Sequence, residues 1–386
     1  MVSVHQPIQL LVLQGTPFCN IDCSYCYLPS RNDRSRMPEA VLEATIDRVV
    51  ESGLLGQKLS IIWHAGEPLA LPLTYYENAV ALIERRLRHL TDITYRFQTN
   101  GTLVDEQWCQ FFGRTRCKVG LSIDGPRPLH NLHRVTRRGA GTFDKAAAGL
   151  RRLVETEVDL HVISVLTRES LFFPDEFYRF YVDYGVRHVC FNAEQIEGVN
   201  KHSSLEDRRC EELFSQFFQR FLELVSAGRS INSVREFDHA FAALLRPPMS
   251  ERAANLQVEP YVILSVSTNG DFSTYSPELL GMKDRRWGDF VLGNVFVDSL
   301  EQTSHSPKFK SLHQEIKDGV ARCRSVCEFF EACGGGTPAN KLYETGRFDS
   351  AETLYCRYSV KQFMQLALEA VERSCGLSGG APRVSV

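Results

Sequence analysis

A regular alternation of apolar and helical segments along the first half of the chain constrains the fold more than any other feature. The apolar segments read as strands and lie at residues 9–14, 59–64, 93–98, 118–123, 160–165 and 188–192. Segments with helical periodicity separate them, and strands that alternate with helices usually pair in parallel. Six such units, fewer than the eight of a closed barrel, predict an α/β fold built on an open, partial (β/α)6 TIM-like barrel.

Beyond residue 192 the alternation stops and the chain changes character. A long amphipathic helix is predicted over 205–225, and a hairpin over 262–275 around Asn269-Gly270, a strong two-residue turn signal. A stretch rich in cysteine and glycine follows, and then a closing helix over 357–373. We therefore predict a core domain at 1–230, a second domain at 231–375, and a frayed Gly/Ser/Pro-rich tail at 376–386.

Composition and charge exclude several classes of function. The chain has 386 residues and a formal net charge of −3, so no global positive field indicates binding to nucleic acid or to an anionic membrane. No apolar run approaches the roughly 20 residues of a membrane-spanning helix. The first residues lack the charged, apolar and small-residue regions of a signal peptide. We expect a cytoplasmic protein with no membrane or nucleic-acid partner.

Three cysteines lie close together in the loop that follows the first predicted strand. Cys19, Cys23 and Cys26 have the spacing C-x3-C-x2-C, and clustered cysteines in a cytosolic protein are typical of metal sites. Three thiolates can hold three irons of a [4Fe–4S] cube and leave the fourth iron free to bind a substrate. The alternative is a zinc ion with a fourth ligand such as His64, although this is not a zinc-ribbon spacing.

A second set of cysteines lies near the C-terminus and supplies four thiols instead of three. Cys323, Cys327, Cys333 and Cys356 can ligate a [4Fe–4S] cluster completely, and the three glycines after Cys333 would let the backbone wrap closely around it. Structural zinc is the alternative here, because four cysteines also suit a tetrahedral site. We interpret the other five of the 12 cysteines as small buried apolar residues.

The first cysteine set resembles the signature of the radical S-adenosylmethionine (SAM) superfamily, C-x3-C-x-aromatic-C. Cys19, Cys23, Tyr25 and Cys26 match that signature at every position, in the loop where it occurs. The resemblance implies a cluster whose open iron is chelated by the amino and carboxylate groups of SAM. It also implies that one electron from the reduced cluster splits the sulfonium to give a 5′-deoxyadenosyl radical, while the protein orients SAM and shields the radical.

Further segments resemble the SAM-binding motifs of that superfamily. Ala65-Gly66-Glu67 resembles its G-G-E motif, which implies that Gly66 lets the backbone approach the methionyl group and that Glu67 accepts from its ammonium. Arg134 resembles the arginine that pairs with the SAM carboxylate. By the same resemblance the other residues at the cofactor are Tyr25, Gln98, Asn100, Ser122, Asp124 and Leu166, the last of which would pack on adenine. Taken singly, the Asn-Gly and Asp-Gly pairs here are ordinary turns, and Arg134 could belong to a solvated basic loop.

The C-terminal cysteines resemble the SPASM extension of peptide-modifying radical SAM enzymes. That extension usually carries two auxiliary clusters, whereas Ser276 and Thr337 stand here where further cysteine ligands are expected. The resemblance therefore implies a SPASM-like domain with one auxiliary [4Fe–4S] cluster, bound by Cys323, Cys327, Cys333 and Cys356. In sulfatase-maturing relatives an aspartate that acts as base follows the hairpin cysteine. Pro277 follows Ser276 in this chain, which disfavours formylglycine formation.

Nearly the whole chain resembles the GrrM/OscB-type maturases, which form cyclophanes in ribosomal peptides. Residues 16–20, 63–69, 269–279 and 333–344 carry this resemblance. It implies an oxidoreductase that takes a hydrogen from a side-chain carbon of a precursor peptide, joins Cβ to an aromatic ring, and draws electrons from a flavodoxin or ferredoxin. The base is unassigned, with Glu278, His64 and Asp271 as candidates. We expect residues 195–260 to take part in leader recognition.

Two alternatives to a cyclophane-forming maturase stay open. Within the same chemistry, the peptide could be oxidised in another way, to a thioether, a desaturated residue or a strained ring. From a different class, the chain could be a metal-dependent peptide-binding or electron-transfer protein without radical chemistry. The complete cysteine triad and the residues expected to face SAM argue against that second class.

Overall fold

The computed structural model describes residues 6–245 and 255–374 of the chain. Within them the strands are β1 (Ile8–Leu13), β2 (Ile21–Cys23), β3 (Leu55–Trp63), β4 (Asp92–Thr99), β5 (Lys118–Ser122), β6 (Arg134–Thr136), β7 (Asp159–Leu166), β8 (His188–Ala193), β9 (Ser233–Val234), β10 (Ile263–Val266), β11 (Asp271–Thr274), β12 (Lys283–Asp284), β13 (Gly288–Asp289) and β14 (Gly293–Asn294). The α-helices are α1 (Glu39–Glu51), α2 (Leu73–Leu87), α3 (Glu106–Thr115), α4 (Arg127–His133), α5 (Phe143–Glu155), α6 (Pro174–Asp183), α7 (Arg209–Gly228), α8 (Arg235–Leu244), α9 (Leu300–Ser304), α10 (Pro307–Val326), α11 (Phe330–Cys333), α12 (Pro338–Thr345), α13 (Leu354–Cys356) and α14 (Gln362–Ser374). A π-helical segment, Arg357–Lys361, joins α13 to α14.

One ten-stranded sheet forms the centre of the described residues, in the order β14-β11-β10-β1-β3-β4-β5-β7-β8-β9. Every neighbouring pair from β10 to β9 is parallel. Helices follow β1, β3, β4, β5, β7 and β8, which correspond to the six predicted strands. The predicted α/β fold with a partial (β/α)6 barrel is therefore confirmed.

The predicted hairpin also forms, and it extends the same sheet. Strands β10 and β11 pair antiparallel around Asn269-Gly270, and β10 lies parallel to β1 with Leu13 opposite Val266. Residues of the predicted second domain thus pair directly with the first strand of the core. The boundary near residue 230 stays a prediction, and the predicted tail at 376–386 lies outside the described residues.

Helix α7 anchors the C-terminal helix to the sheet. Its apolar residues recur at helical spacing, and Phe218 and Phe221 each lie 5.2 Å, ring centre to ring centre, from Phe191 of β8. Phe363 of α14 packs 4.6 Å from Phe218 on the same helix. Because Phe218 is fully buried at this junction, Phe218→Ala should cost about 3–5 kcal/mol of stability. In the part of the chain described here, no helix has the length and apolar character to cross a bilayer.

Candidate functional site

A cavity of about 650 Å³ lies beyond the C-terminal ends of the parallel strands. Loops that follow β1, β3, β4 and β8 line it from one side, as expected for ligand sites on (β/α) scaffolds. Ser276, Glu278, Thr337, Asn340 and Tyr355, from the second half of the chain, also line it. Its volume is in the range of cofactor and small-molecule sites, and residues of both predicted domains contribute to it.

The three-cysteine loop lies in the wall of this cavity. Cys19, Cys23 and Cys26 all contribute to the wall, and the loop is held by β2, which pairs antiparallel with β6 so that Cys23 lies opposite Arg134. Two side-chain N–H groups point at the sulfur atoms: Asn100 Nδ2 lies 3.7 Å from Cys19 Sγ, and Arg134 Nη1 lies 3.9 Å from Cys23 Sγ. The predicted triad is therefore brought together and surrounded by donors suited to anionic sulfur.

Burial makes the thiols of Cys19 and Cys23 harder to ionise. Burial, followed by the charge of Glu67, raises the pKa of Cys19 to about 12, and burial raises the pKa of Cys23 to about 11. Each of these pKa values is also raised by the neighbouring cysteines, which shows that the sulfur atoms lie close together. Coordination to a metal deprotonates such thiols, and an all-sulfur donor set suits iron–sulfur clusters and zinc. Among residues 6–245 and 255–374, no group of three or more His, Cys, Asp or Glu side chains is arranged to hold a single metal ion.

Arg134 is held in place by a buried ion pair. Its Nε lies 2.9 Å from Asp124 Oδ2, which also accepts a hydrogen bond from the Tyr25 hydroxyl, and Asp124 Oδ1 accepts from the backbone N–H of Val165 at 2.9 Å. Although burial alone would raise it, the pKa of Asp124 is lowered by Arg134 and by these hydrogen bonds. Arg134 and Tyr25 line the cavity, whereas Asp124 lies behind them. Asp124 therefore positions Arg134.

Glu67 lines the cavity and is 1 % exposed. Its Oε1 accepts from Leu69 N at 2.9 Å and from the Thr99 hydroxyl at 2.7 Å, and its Oε2 accepts from Asn100 N at 2.7 Å. Burial raises the pKa of Glu67 to about 7. The carboxylate therefore joins the ends of β3 and β4 and keeps a face toward the cavity.

The backbone before Glu67 explains why glycine stands at position 66. A Cβ on Gly66 would lie 2.4 Å from the carbonyl oxygen of Thr16, so the close approach is to the loop after β1. Gly66 has φ +76°, and Ala65 has φ +70°, in the left-handed region that favours glycine. Ala65 thus occupies a position whose conformation matches the glycine of the motif it resembles.

The remaining residues predicted to contact SAM divide into two groups. Gln98, Asn100 and Ser122 line the cavity, and Gln98 Nε2 donates to Ser122 Oγ at 2.8 Å. Leu166 is fully buried and is not part of the cavity wall. Ile163 and Val165 of the same strand do line it, because side chains of a strand alternate between its two faces.

The three candidate bases lie in different environments. His64 lines the cavity, its Nε2 lies 2.9 Å from the Tyr27 hydroxyl, and burial lowers its pKa to about 4. Glu278 also lines the cavity, and burial raises its pKa. Asp271 accepts hydrogen bonds from Asn269 and Asn294 at the hairpin turn and is not part of the cavity wall. The geometry leaves Glu278 and His64 as candidates and gives Asp271 a structural role.

The four C-terminal cysteines converge at a second place. Cys323 and Cys327 lie at the end of α10, Cys333 ends α11 and Cys356 ends α13. After burial, neighbouring cysteines of this set raise the pKa values of both Cys333 and Cys356, the latter to about 12. Gly336 N donates to Cys333 Sγ at 3.1 Å from a loop whose three glycines, at 334–336, all have positive φ. The predicted wrapping of a glycine loop around this site is present.

Sequence reasoning missed two residues that the structure places at these sites. Lys341 is 3 % exposed, and its Nζ donates to Cys323 Sγ at 3.3 Å. Glu197 lines the large cavity near Glu278. No spacing signal marks either residue, since Lys341 lies within an ordinary helical pattern and Glu197 in a loop after β8.

Comparisons with known proteins agree with this geometry. Residues 13–180 match the family described as Radical SAM superfamily. The chain is 37% identical over 377 residues to an uncharacterized protein of Synechocystis, covering 96% of this chain and 94% of that protein. It is 26% identical over 399 residues to a serine-type anaerobic sulfatase-maturating enzyme of Bacteroides thetaiotaomicron, covering 94% of this chain and 90% of the enzyme.

Two solved structures share the fold. The structure titled native anSMEcpe with bound AdoMet matches with a TM-score of 0.77 at 23% identity, covering 97% of this chain and 100% of that one. Streptococcus suis SuiB bound to its precursor peptide SuiA matches with a TM-score of 0.63 at 17% identity, covering 91% of this chain and 76% of that one. Both matches extend beyond the barrel into the C-terminal region.

Proposed function

We propose, from the premise that this chain belongs to the radical SAM superfamily, that it is an enzyme which modifies a ribosomally made precursor peptide. The observation that carries the proposal is the shared cavity, which is lined both by the three-cysteine loop and by residues of the second half of the chain. A space built in this way has room for a cofactor on the cysteine side and for a substrate side chain facing it.

The residues present suit the cofactors of the superfamily. Cys19, Cys23 and Cys26 would hold the [4Fe–4S] cluster to which SAM binds, and the four cysteines of the second site would hold one auxiliary [4Fe–4S] cluster. When bound, the first cluster and SAM supply a carbon radical strong enough to take a hydrogen atom from an unactivated side-chain carbon.

The chain's own residues would bind the cofactor and orient it. Arg134, fixed by Asp124, offers a buried positive charge to a carboxylate, and Glu67 offers a negative charge to an ammonium group. Gln98 and Ser122 present a linked pair of polar groups at the ends of β4 and β5. The apolar side chains of Ile163 and Val165 complete the wall, and this enclosure would keep water from a reactive radical.

The finer proposal is a cross-link between an aromatic ring and a Cβ of the peptide, a cyclophane. It is supported by the resemblance of the chain to GrrM/OscB-type maturases. Such a bond forms with the net loss of two hydrogens. One leaves Cβ as a hydrogen atom, and the ring loses the other as a proton and an electron, so a base and an electron acceptor are needed; we propose the auxiliary cluster as that acceptor. Glu278 and His64 both line the cavity and are the candidates for the base; burial raises the pKa of the Glu278 carboxyl and lowers the pKa of His64 to about 4.

Formylglycine formation is the second candidate, because sulfatase-maturating enzymes match this chain over nearly its full length. Pro277 stands where those relatives carry the aspartate that acts as base, which favours the cross-link. Either function calls for a peptide substrate and an electron donor such as a flavodoxin or ferredoxin.

Co-expression with short candidate precursor peptides that contain aromatic residues tests the proposal. We expect the peptide to lose two hydrogens and to resist fragmentation between the two linked residues. A product that reacts with a hydrazide would instead carry an aldehyde and would favour formylglycine. If the reduced and reconstituted enzyme forms no 5′-deoxyadenosine from SAM, with or without peptide, the radical function is wrong.

A further inference from the structure

Two glutamates line the large cavity, and burial raises the pKa of each carboxyl. Glu197 lies in the loop after β8, and Glu278 lies in the short 3₁₀ helix Pro277–Leu279 after β11. Burial, followed by the charge of Glu278, raises the pKa of Glu197. Within the part of the chain that the structure describes, neither carboxylate forms an ion pair with Lys, Arg or His.

The cations nearest to the cavity are already engaged. Arg134 is paired with Asp124, and Arg235 is paired with Glu236 and donates to Asn192. Lys201, close in sequence to Glu197, donates to the carbonyl oxygen of Gly198. Among the described residues, none of these three cations is therefore paired with Glu197 or Glu278.

Ser276 gives an independent sign that a polar ligand belongs here. It lines the same cavity, is 1 % exposed, and its hydroxyl has no hydrogen-bond partner among the described residues. A buried hydroxyl without a partner is costly, by about 1–3 kcal/mol, unless a ligand or water supplies the missing hydrogen bond. Tyr343, which lies beside both glutamates, donates its own hydroxyl to the backbone oxygen of Glu278 and so leaves the carboxylates free.

We propose that Glu197, Glu278 and Ser276 form a subsite that binds the guanidinium of an arginine in the substrate peptide. This inference rests on the proposed peptide-modifying function and names one feature of its substrate. A planar guanidinium offers several N–H donors in a fixed fork, so it can meet two carboxylates and a hydroxyl together, which a neutral side chain cannot. The guanidinium carries one positive charge, so it balances the pair of glutamates when the two carboxylates together hold one proton.

Binding of two matched peptides to the full-length reconstituted enzyme tests the subsite. The probes are acetyl-Gly-Phe-Gly-Arg-Gly-amide and the same peptide with citrulline, a neutral group of nearly the same shape, in place of arginine. We expect the arginine peptide to bind at least about tenfold more tightly by isothermal titration calorimetry, as for a charge-assisted hydrogen-bonded pair. Equal binding of the two peptides, or no detectable binding of the arginine peptide, would overturn the proposal.

Variants test whether these three residues cause the preference for the arginine peptide over the citrulline peptide. In the double variant Glu197→Gln/Glu278→Gln the arginine preference should fall to within about twofold of unity, and Ser276→Ala should reduce it by about threefold. Glu155→Gln, at an exposed glutamate that ends α5, is the matched control and should keep the full preference. An arginine preference that persists in the double variant would contradict the subsite. Formation of 5′-deoxyadenosine by the wild-type enzyme is measured in parallel, so that failure of the radical function is distinguished from failure of this inference.

Discussion

The two cysteine sites use the same ligand but differ in what surrounds the sulfur atoms. Cys19, Cys23 and Cys26 all line the large cavity, whereas none of the C-terminal four does; Cys333 borders a smaller cavity of about 390 Å³. The first site has three thiols and faces open space. The second has four thiols, and a glycine loop with three positive φ angles packs against it. The two sites thus differ in their number of thiols and in whether they face the large cavity; we call the first the open site and the second the closed site.

The two sites also differ in which group lies beside the buried cation near each of them. Arg134 lies near Cys23 but is paired with the carboxylate of Asp124. Lys341 lies 3.3 Å from Cys323 and, in the residues that the structure describes, forms no ion pair with a carboxylate. Because a buried ammonium without a counter-charge is strongly unfavourable, its partner must be the sulfur atoms themselves. At the first site the buried cation, Arg134, faces the ligand cavity. At the second site the buried cation, Lys341, contacts a cysteine sulfur.

The largest effect should come from removing one thiol of the open site. Cys23→Ala should abolish formation of 5′-deoxyadenosine, a loss of at least about 10³-fold, because two thiols cannot hold the cluster to which SAM binds. Iron should fall from about eight to about four per chain, since the second site is untouched. Cys109→Ala, at a buried cysteine of α3 outside both sites, is the control and should keep its iron and activity. Full iron content in Cys23→Ala would mean that the cysteine loop does not bind the cluster.

Removing one thiol of the closed site should separate the two sites. Cys356→Ala should lose about four irons per chain and form less than about one hundredth of the modified peptide. The electron paramagnetic resonance signal of the first cluster should remain and should still change when SAM is added, because no thiol of the first site is altered. Loss of both signals together would contradict the view that the sites are independent. One equivalent of zinc in place of the second set of irons would establish the structural-zinc alternative.

Neutralising Lys341 should change the closed site without removing a ligand. Lys341→Met keeps the length of the side chain and removes a charge 3.3 Å from Cys323 Sγ. The reduction potential of the auxiliary cluster should become more negative by on the order of 100 mV, because the added electron loses a nearby positive charge. Potentiometric titration measures this shift, and Lys310→Met, at an exposed lysine of the same α10 that carries Cys323, should leave the potential within about 20 mV. An unchanged potential in Lys341→Met would show that the lysine is not coupled to the cluster.

Much of the fold could be predicted because it is encoded locally. The strand at residues 188–192, for example, was predicted from one apolar run and is observed as His188–Ala193. The cysteine spacing likewise predicts the triad, since all three thiols come from one loop. Contacts that depend on which face of a strand a single side chain occupies are harder to predict. Leu166 was expected at the cofactor, but Val165 faces the cavity, because a shift of one residue along a strand reverses the face.

The charges of the site could not be predicted, because they depend on residues far apart in the chain. The ion pair of Asp124 with Arg134 requires the fold of α4 to bring the end of β5 to β6. Lys341 donates to Cys323, which lies 18 residues earlier in the sequence. Glu197 interacts with Glu278, which lies in the second half of the chain. Helical periodicity marks which face of a helix is buried, but it does not reveal what a buried charge will contact.

The smallest effect concerns the backbone beside each site. The closed site has glycine at every position of positive φ in its loop, whereas the open site begins its turn with Ala65 at φ +70°. Ala65→Gly should stabilise the protein by about 0.5 kcal/mol, because relief of left-handed strain slightly exceeds the added entropy of the unfolded chain. Gly336→Ala should destabilise it by about 1 kcal/mol, since φ is +73° and the new Cβ would meet Lys341 only at an ordinary contact distance of 3.5 Å. Thermal unfolding of both variants in the same cofactor state should show shifts of opposite sign, and a lower melting temperature for Ala65→Gly would mean that Ala65 is not strained.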